Sequence, residues 1–144
     1  MKISFLLVVV ALAGWACSDL TTSTDMVFDS DPAEPVTFAA IQDNIFTPSC
    51  ALSGCHGADN FSNSPNLATG QAYANIVGVA SLGDLQAPRR PLIAAGDPDN
   101  SYLYLKLLDG AAVEGVRMPN GGPYLPADTI AMVRAWIEAG ALND

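Results

Sequence analysis

The stretch CALSGCHG, Cys50 to Gly57, gathers two of the chain's three cysteines and its only histidine. Any fold this chain adopts must turn the backbone tightly there and give the imidazole a use. Cys50 and Cys55 are separated by Ala51, Leu52, Ser53 and Gly54, and His56 comes directly after. Glycine at position 54 frees the backbone to bulge outward between the thiols.

Three kinds of chemistry suit such a loop. The thiols can add to haem vinyl groups as thioethers while the adjacent imidazole reaches the iron, as in C-x-x-C-H motifs. Four intervening residues make this a longer spacer than usual. Alternatively, Cys50 and Cys55 form a disulfide beside an unrelated histidine, which an exporting compartment permits. A zinc site would need four ligands, so a carboxylate would have to complete it.

The rest of the chain bears on the choice. Its 144 residues suffice for one ordinary domain, and 50% are hydrophobic, enough for a packed core. Six Lys and Arg stand against 15 Asp and Glu. That acidic balance argues against nucleic acid, whose phosphates require a basic face.

The N-terminus reads as a leader rather than part of the fold. MKISFLLVVVALAGWAC carries one Lys, an apolar run from Ile3 to Trp15, and small residues. The run is about 13 residues, roughly 20 Å as a helix, short of the roughly 20 residues and ~30 Å a spanning helix needs. It matches the apolar region of a secretory signal, giving a signal peptide over 1–16 and an exported protein. AGWAC resembles a bacterial lipobox, with Gly14 and Trp15 departing from the pattern. Lipidation of Cys17 would also remove the odd thiol left once Cys50 and Cys55 share a task. Residues 17–35, rich in Ser, Thr, Asp and Pro, read as a disordered tether with a reach on the order of 25 Å. The expected location is the cell envelope, on the periplasmic or outer-membrane side.

From Val36 the pattern becomes helical, and the domain is expected over 36–144. Phe38, Ile41 and Ile45 fall at i, i+3 and i+7, with Pro48 marking the helix end. A short helix is expected from Gly70 to Val77, with Thr69 as its cap. A long connection, 78–95, has no clean period and a short extended piece at PLIAA. GDPDNSYLYLKLLDG reads as a continuous helix, with Asp97 as N-cap, Pro98 at the first position and Gly110 past the end. ADTIAMVRAWIEAGALND reads as an amphipathic helix presenting Ile130, Val133 and Ile137, stopped at Gly140. The fold class is therefore all-α.

Taken together, these pieces resemble class I cytochrome c domains, and more closely the planctomycete-type monohaem domains of exported bacterial proteins. The resemblance runs from about Val36 to the end. IQDNIFTPSCALSGCHG is similar to their first helix and haem motif. SPNL, Ser64 to Leu67, resembles the loop whose proline carbonyl accepts from the ligand histidine. AGDPDNSYLYLKL and RMPNGGPYLPADTIAMVRAWIEAGA are similar to their GDP helix and to their Met-Pro loop and final helix. The resemblance implies N- and C-terminal helices packed together around one covalent haem c, with Cys50 and Cys55 attaching it and His56 as proximal iron ligand. It departs from the family in the four-residue spacer and in the long 78–95 connection.

A chain with one histidine must find its second axial ligand elsewhere, or leave that position open. Of the four methionines, Met1 leaves with the signal, Met26 lies in the tether, and Met132 suits core packing. Met118, stiffened by Pro119 in a loop rich in Gly and Pro, is the expected ligand. Arg117 is a candidate partner for a haem propionate, with Arg89 and Arg90 as weaker ones. Phe38 and Trp136 read as core contacts, Tyr102 and Tyr104 as packing or surface residues, and Gly57 as a point of close backbone approach beside the porphyrin.

His/Met ligation raises the reduction potential relative to bis-His. The expected role is a single-electron carrier between redox protein partners, alone or within a larger respiratory or surface complex, and not an enzyme. Two rivals stand beside it: a five-coordinate haem protein acting as peroxidase or gas binder, and a haem-free binding lipoprotein with a Cys50–Cys55 disulfide.

Overall fold

In the computed structural model, the described residues are 34–59 and 64–144. The leader, Cys17, Met26 and nearly all of the 17–35 tether lie outside them. None of the described helices is long and apolar enough to cross a membrane.

The first helix begins at Phe38. Thr37 caps it, its Oγ1 accepting from the Ala40 amide at 3.1 Å. The chain's other end closes the same turn: the Phe38 amide donates to Asp144 Oδ1 at 2.8 Å and the Ala39 amide to the Asp144 carbonyl at 3.0 Å. An acidic group suits the positive end of a helix. The helix runs as an α-turn (Phe38–Ile41), a π-helical turn (Gln42–Phe46) and a last α-turn (Thr47–Ser49). It ends at Ser49, one residue past Pro48, as expected. The wider π turn precedes the proline, easing the clash of its ring with the carbonyl four residues back.

The second helix spans Ala72–Ile76, shorter than expected at both ends. Thr69 does not cap it; its Oγ1 lies 3.4 Å from Thr47 Oγ1. Gly70, at φ +77°, puts a left-handed turn ahead of the helix.

The segment from Asp97 departs most from the sequence reading. Asp97 does cap, accepting from the Asn100 amide at 3.2 Å. The chain beyond it makes a 3₁₀ turn (Pro98–Asn100), extends at Ser101, and then forms a single α-turn (Tyr102–Leu105). The cause is tertiary. The Tyr102 and Leu103 amides donate to the Pro91 and Leu92 carbonyls at 3.0 and 2.9 Å. Ser101 Oγ accepts from the Ala94 amide at 2.9 Å and donates to the Asp97 carbonyl at 2.8 Å. Amides committed to the PLIAA segment cannot close a helix through Ser101. That segment forms two isolated bridges, Val77 with Ile93 and Ala80 with Pro91, on either side of a bend at Leu92. Apart from these bridges the described residues hold no strand, and the class is all-α.

The last helix, Ala127–Glu138, lies where its period predicts and buries Ile130, Val133, Trp136 and Ile137. Gly140, at φ +102°, lies just past its end. The first and last helices meet through Phe38 and Trp136, whose rings lie 5.5 Å apart. Phe38 also stacks edge-on to Tyr73 of the second helix at 5.2 Å. The polar tips of these aromatics tie down the C-terminal tail: Tyr73 Oη donates to the Ala141 carbonyl and Trp136 Nε1 to the Leu142 carbonyl, both at 2.9 Å. Met132 packs against this core, as its place in the helix suggests.

Candidate functional site

The cysteine loop is built off the end of the first helix. The Cys50 and Ala51 amides both donate to the Phe46 carbonyl, at 2.9 and 2.7 Å. The loop then closes on itself: the His56 amide donates to the Cys50 carbonyl at 3.1 Å, and the Cys55 and Gly57 amides to the Leu52 carbonyl at 3.0 and 3.1 Å. Gly54 takes φ +74°, the left-handed bulge that the four-residue spacer requires. A side chain at Gly57 would be crowded. A Cβ there would sit 3.0 Å from the Leu52 carbonyl oxygen and 3.1 Å from that of Ala51. The loop's own backbone thus approaches Gly57 closely.

His56 is held by the neighbouring loop. Its Nδ1 lies 3.1 Å from the Pro65 carbonyl oxygen and 2.6 Å from Ser64 Oγ. A carbonyl can only accept, so the bond to Pro65 places the proton on Nδ1 and leaves Nε2 with a free lone pair. The Leu67 amide donates to the His56 carbonyl at 2.7 Å. Gln42, buried on the first helix, donates from Nε2 to the Leu67 carbonyl at 3.0 Å and so anchors this loop in turn.

Cys50 and Cys55 are free thiols, the first half-buried and the second exposed. Burial, then the nearby Cys55, pushes the Cys50 thiol up to about 11. It is protonated at neutral pH, unlike the thiolate of a redox-active pair. Among the described residues no group of three or more His, Cys, Asp or Glu side chains gathers to hold a bare metal ion. A zinc site therefore finds no completing carboxylate there.

Met118 comes to the same place from the other half of the chain. The helical stretch from Tyr102 ends with carbonyls that no later turn satisfies. The Met118 amide donates to the Lys106 carbonyl at 2.8 Å, and Arg117 Nε to the Leu107 carbonyl at 2.8 Å. Those two bonds pin the Met-Pro loop beside the cysteine loop.

Between them lies a cavity of about 780 Å³. Cys50, Cys55, His56 and Met118 all line it, and most of the remaining wall is apolar, with Ile45, Phe46, Leu92 and Leu107 among its residues. The volume falls within the roughly 300–1,000 Å³ usual for small-molecule and cofactor sites. The donor set is two unpaired thiols, an imidazole with Nε2 free and a thioether, around one apolar space. It fits a covalently attached haem with His and Met ligands.

The arginines chosen from sequence do not line this cavity. Arg117 turns to the Leu107 carbonyl and stacks on Tyr124, 4.3 Å from the ring centroid. Arg90 is bound to the fully buried Asp84, with Nε 2.7 Å from Oδ2. Arg89 is exposed on the same connection. Instead Lys106, Tyr102 and Ser81 reach the wall, none of them assigned to the site from sequence. The signal for two of them was present: Leu103, Lys106 and Leu107 fall at i, i+3 and i+4, and Tyr102 at i−4 from Lys106.

No family model, curated protein or solved structure matches this chain.

Proposed function

We propose that this chain is a c-type cytochrome: a class I cytochrome c-like domain carrying single electrons between redox partners in the bacterial cell envelope. The observation that carries the reading is the convergence of Cys50, Cys55, His56 and Met118 on one apolar cavity. In this reading Cys50 and Cys55 hold one haem c by thioether bonds, His56 Nε2 is its proximal ligand and Met118 its distal one. When bound, the haem supplies the one-electron chemistry. The chain's own residues orient the imidazole through Pro65 and exclude water with an apolar wall, and His56 and Met118 would both bind the iron. A filled sixth position favours electron transfer over binding of oxygen or peroxide. A leader over 1–16 and a lipid on Cys17 would deliver the domain to a membrane surface.

The two unpaired thiols and the imidazole with Nε2 available, on one cavity with Met118, support this reading over a disulfide loop. The test is expression with a c-type maturation system, then acid–acetone extraction and spectroscopy. Haem that stays with the polypeptide, with a sulfur–iron charge-transfer band in the oxidised protein, is the expected result. Retained haem without that band would move the assignment to a five-coordinate protein. A colourless product from a competent host would overturn the cytochrome reading.

A further inference from the structure

A hydroxyl and an ammonium lie on the cavity wall. Ser81 is 1% exposed and lines the cavity, yet its Oγ has no hydrogen-bond partner. Buried hydroxyls normally find a partner, and an orphan facing a cavity is a group waiting for one. Lys106 lines the same cavity, which has no Arg, Asp or Glu among its described lining residues. Its Nζ donates to the Glu114 carbonyl at 2.7 Å, which uses one of three ammonium hydrogens. Among the described residues Lys106 has no carboxylate within ion-pair distance, whereas Arg90 and Arg134 do, although the Glu114 side chain lies near enough to act on it electrostatically.

Tyr102 connects the two. Its hydroxyl lies 3.1 Å from the Gly83 carbonyl, two residues beyond Ser81, and 3.3 Å from the same Glu114 carbonyl that holds Lys106. The segment carrying the orphan hydroxyl and the residue carrying the cation are thus tied to one tyrosine. A hydroxyl donor and an ammonium beside an apolar space suit a carboxylate on an otherwise apolar ligand.

We propose that Ser81 and Lys106 bind a carboxylate of the cavity's ligand, Oγ and Nζ each donating to it. This rests on the haem reading, in which the carboxylate is a propionate. It assigns to Lys106 the role that sequence alone offered to Arg117.

The test uses the mature haem protein, prepared with haem carrying ¹³C at the propionate carboxyls. Redox-difference infrared spectra isolate the labelled carboxylate stretch. Lys106→Gln keeps a donor for the Glu114 carbonyl while removing the charge; Ser81→Ala removes only the hydroxyl. The labelled band is expected to shift in both variants and to stay in place in Arg117→Met. An unshifted band in both, or a shift in Arg117→Met alone, overturns the proposal while leaving the cytochrome reading intact. A wild-type protein without covalent haem overturns both. Far-ultraviolet circular dichroism separates a band shift from a loss of fold, and Lys106→Arg, which retains the charge, is expected to shift the band less than Lys106→Gln.

Discussion

His56 Nδ1 sits 3.1 Å from the carbonyl oxygen of Pro65, nine residues further along the chain. A carbonyl can only accept, so this bond sets the imidazole tautomer and leaves the Nε2 lone pair available. It depends on a relay of backbone and side-chain contacts: Gln42 on the first helix grips the Leu67 carbonyl, and the Leu67 amide grips that of His56. Ligating histidines are commonly oriented through their other ring nitrogen in this way.

Gln42→Ala should loosen that relay. It leaves the Leu67 carbonyl without its side-chain donor in a buried setting and opens space in the first helix. A loss of about 1–3 kcal/mol is expected from the unpaired carbonyl. Denaturant unfolding of the mature protein measures it. Wild-type stability would show that water replaces the amide at no cost.

Met118→Ala should remove the sulfur–iron charge-transfer band and lower the midpoint potential, because thioether ligation favours the reduced iron. Truncating this half-buried side chain should also cost about 2 kcal/mol. Visible spectra and potentiometry give the first two outcomes and a thermal melt the third. A spectrum identical to wild type would remove Met118 from the ligand set.

The two glycines of the cysteine loop should respond differently to alanine. Gly54 adopts φ +74° but has open space around its missing Cβ, so Gly54→Ala should cost about 1 kcal/mol through backbone conformation alone. At Gly57 the added carbon would press on two backbone carbonyls that cannot rotate away. Gly57→Ala should therefore cost more than Gly54→Ala and lower the yield of attached haem. Melting temperatures and haem-to-protein ratios for the pair decide it.

Acid should weaken the fold through Asp84. The hydrogen bond from Arg90 holds this carboxyl well below the usual range, against the opposing effect of burial, with the Gln86 and Arg90 amides adding to the lowering. A depressed folded pKa contributes stability that is complete above the unfolded value, about pH 4, and is lost as pH falls toward the folded one. Unfolding midpoints should therefore drop below about pH 4. Asp84→Asn should flatten that part of the profile. At neutral pH it should also cost about 3 kcal/mol, since it leaves the Arg90 charge, 13% exposed, without its partner. Urea titrations of both proteins from pH 3 to 7 test the slope and the offset together.

Local signals in the chain were enough for much of this protein. Asp97 as a cap, the last helix with its buried face, the left-handed Gly54 and the meeting of Phe38 with Trp136 all depend on residues near in sequence or on apolar period. The Pro65 carbonyl beside His56 and the approach of Met118 to the cysteine loop were legible only through the order of several motifs. Tertiary structure decided the rest. The helix expected across 97–110 breaks at Ser101 because the amides of Tyr102 and Leu103 are claimed by Pro91 and Leu92. Arg90 is lost to the site because Asp84, six residues earlier, binds it first, and Arg117 because a helix-end carbonyl and the Tyr124 ring hold it. Which cation faces the cavity is settled by competition among hydrogen-bond partners brought together by folding, and spacing along the chain carries no record of that competition.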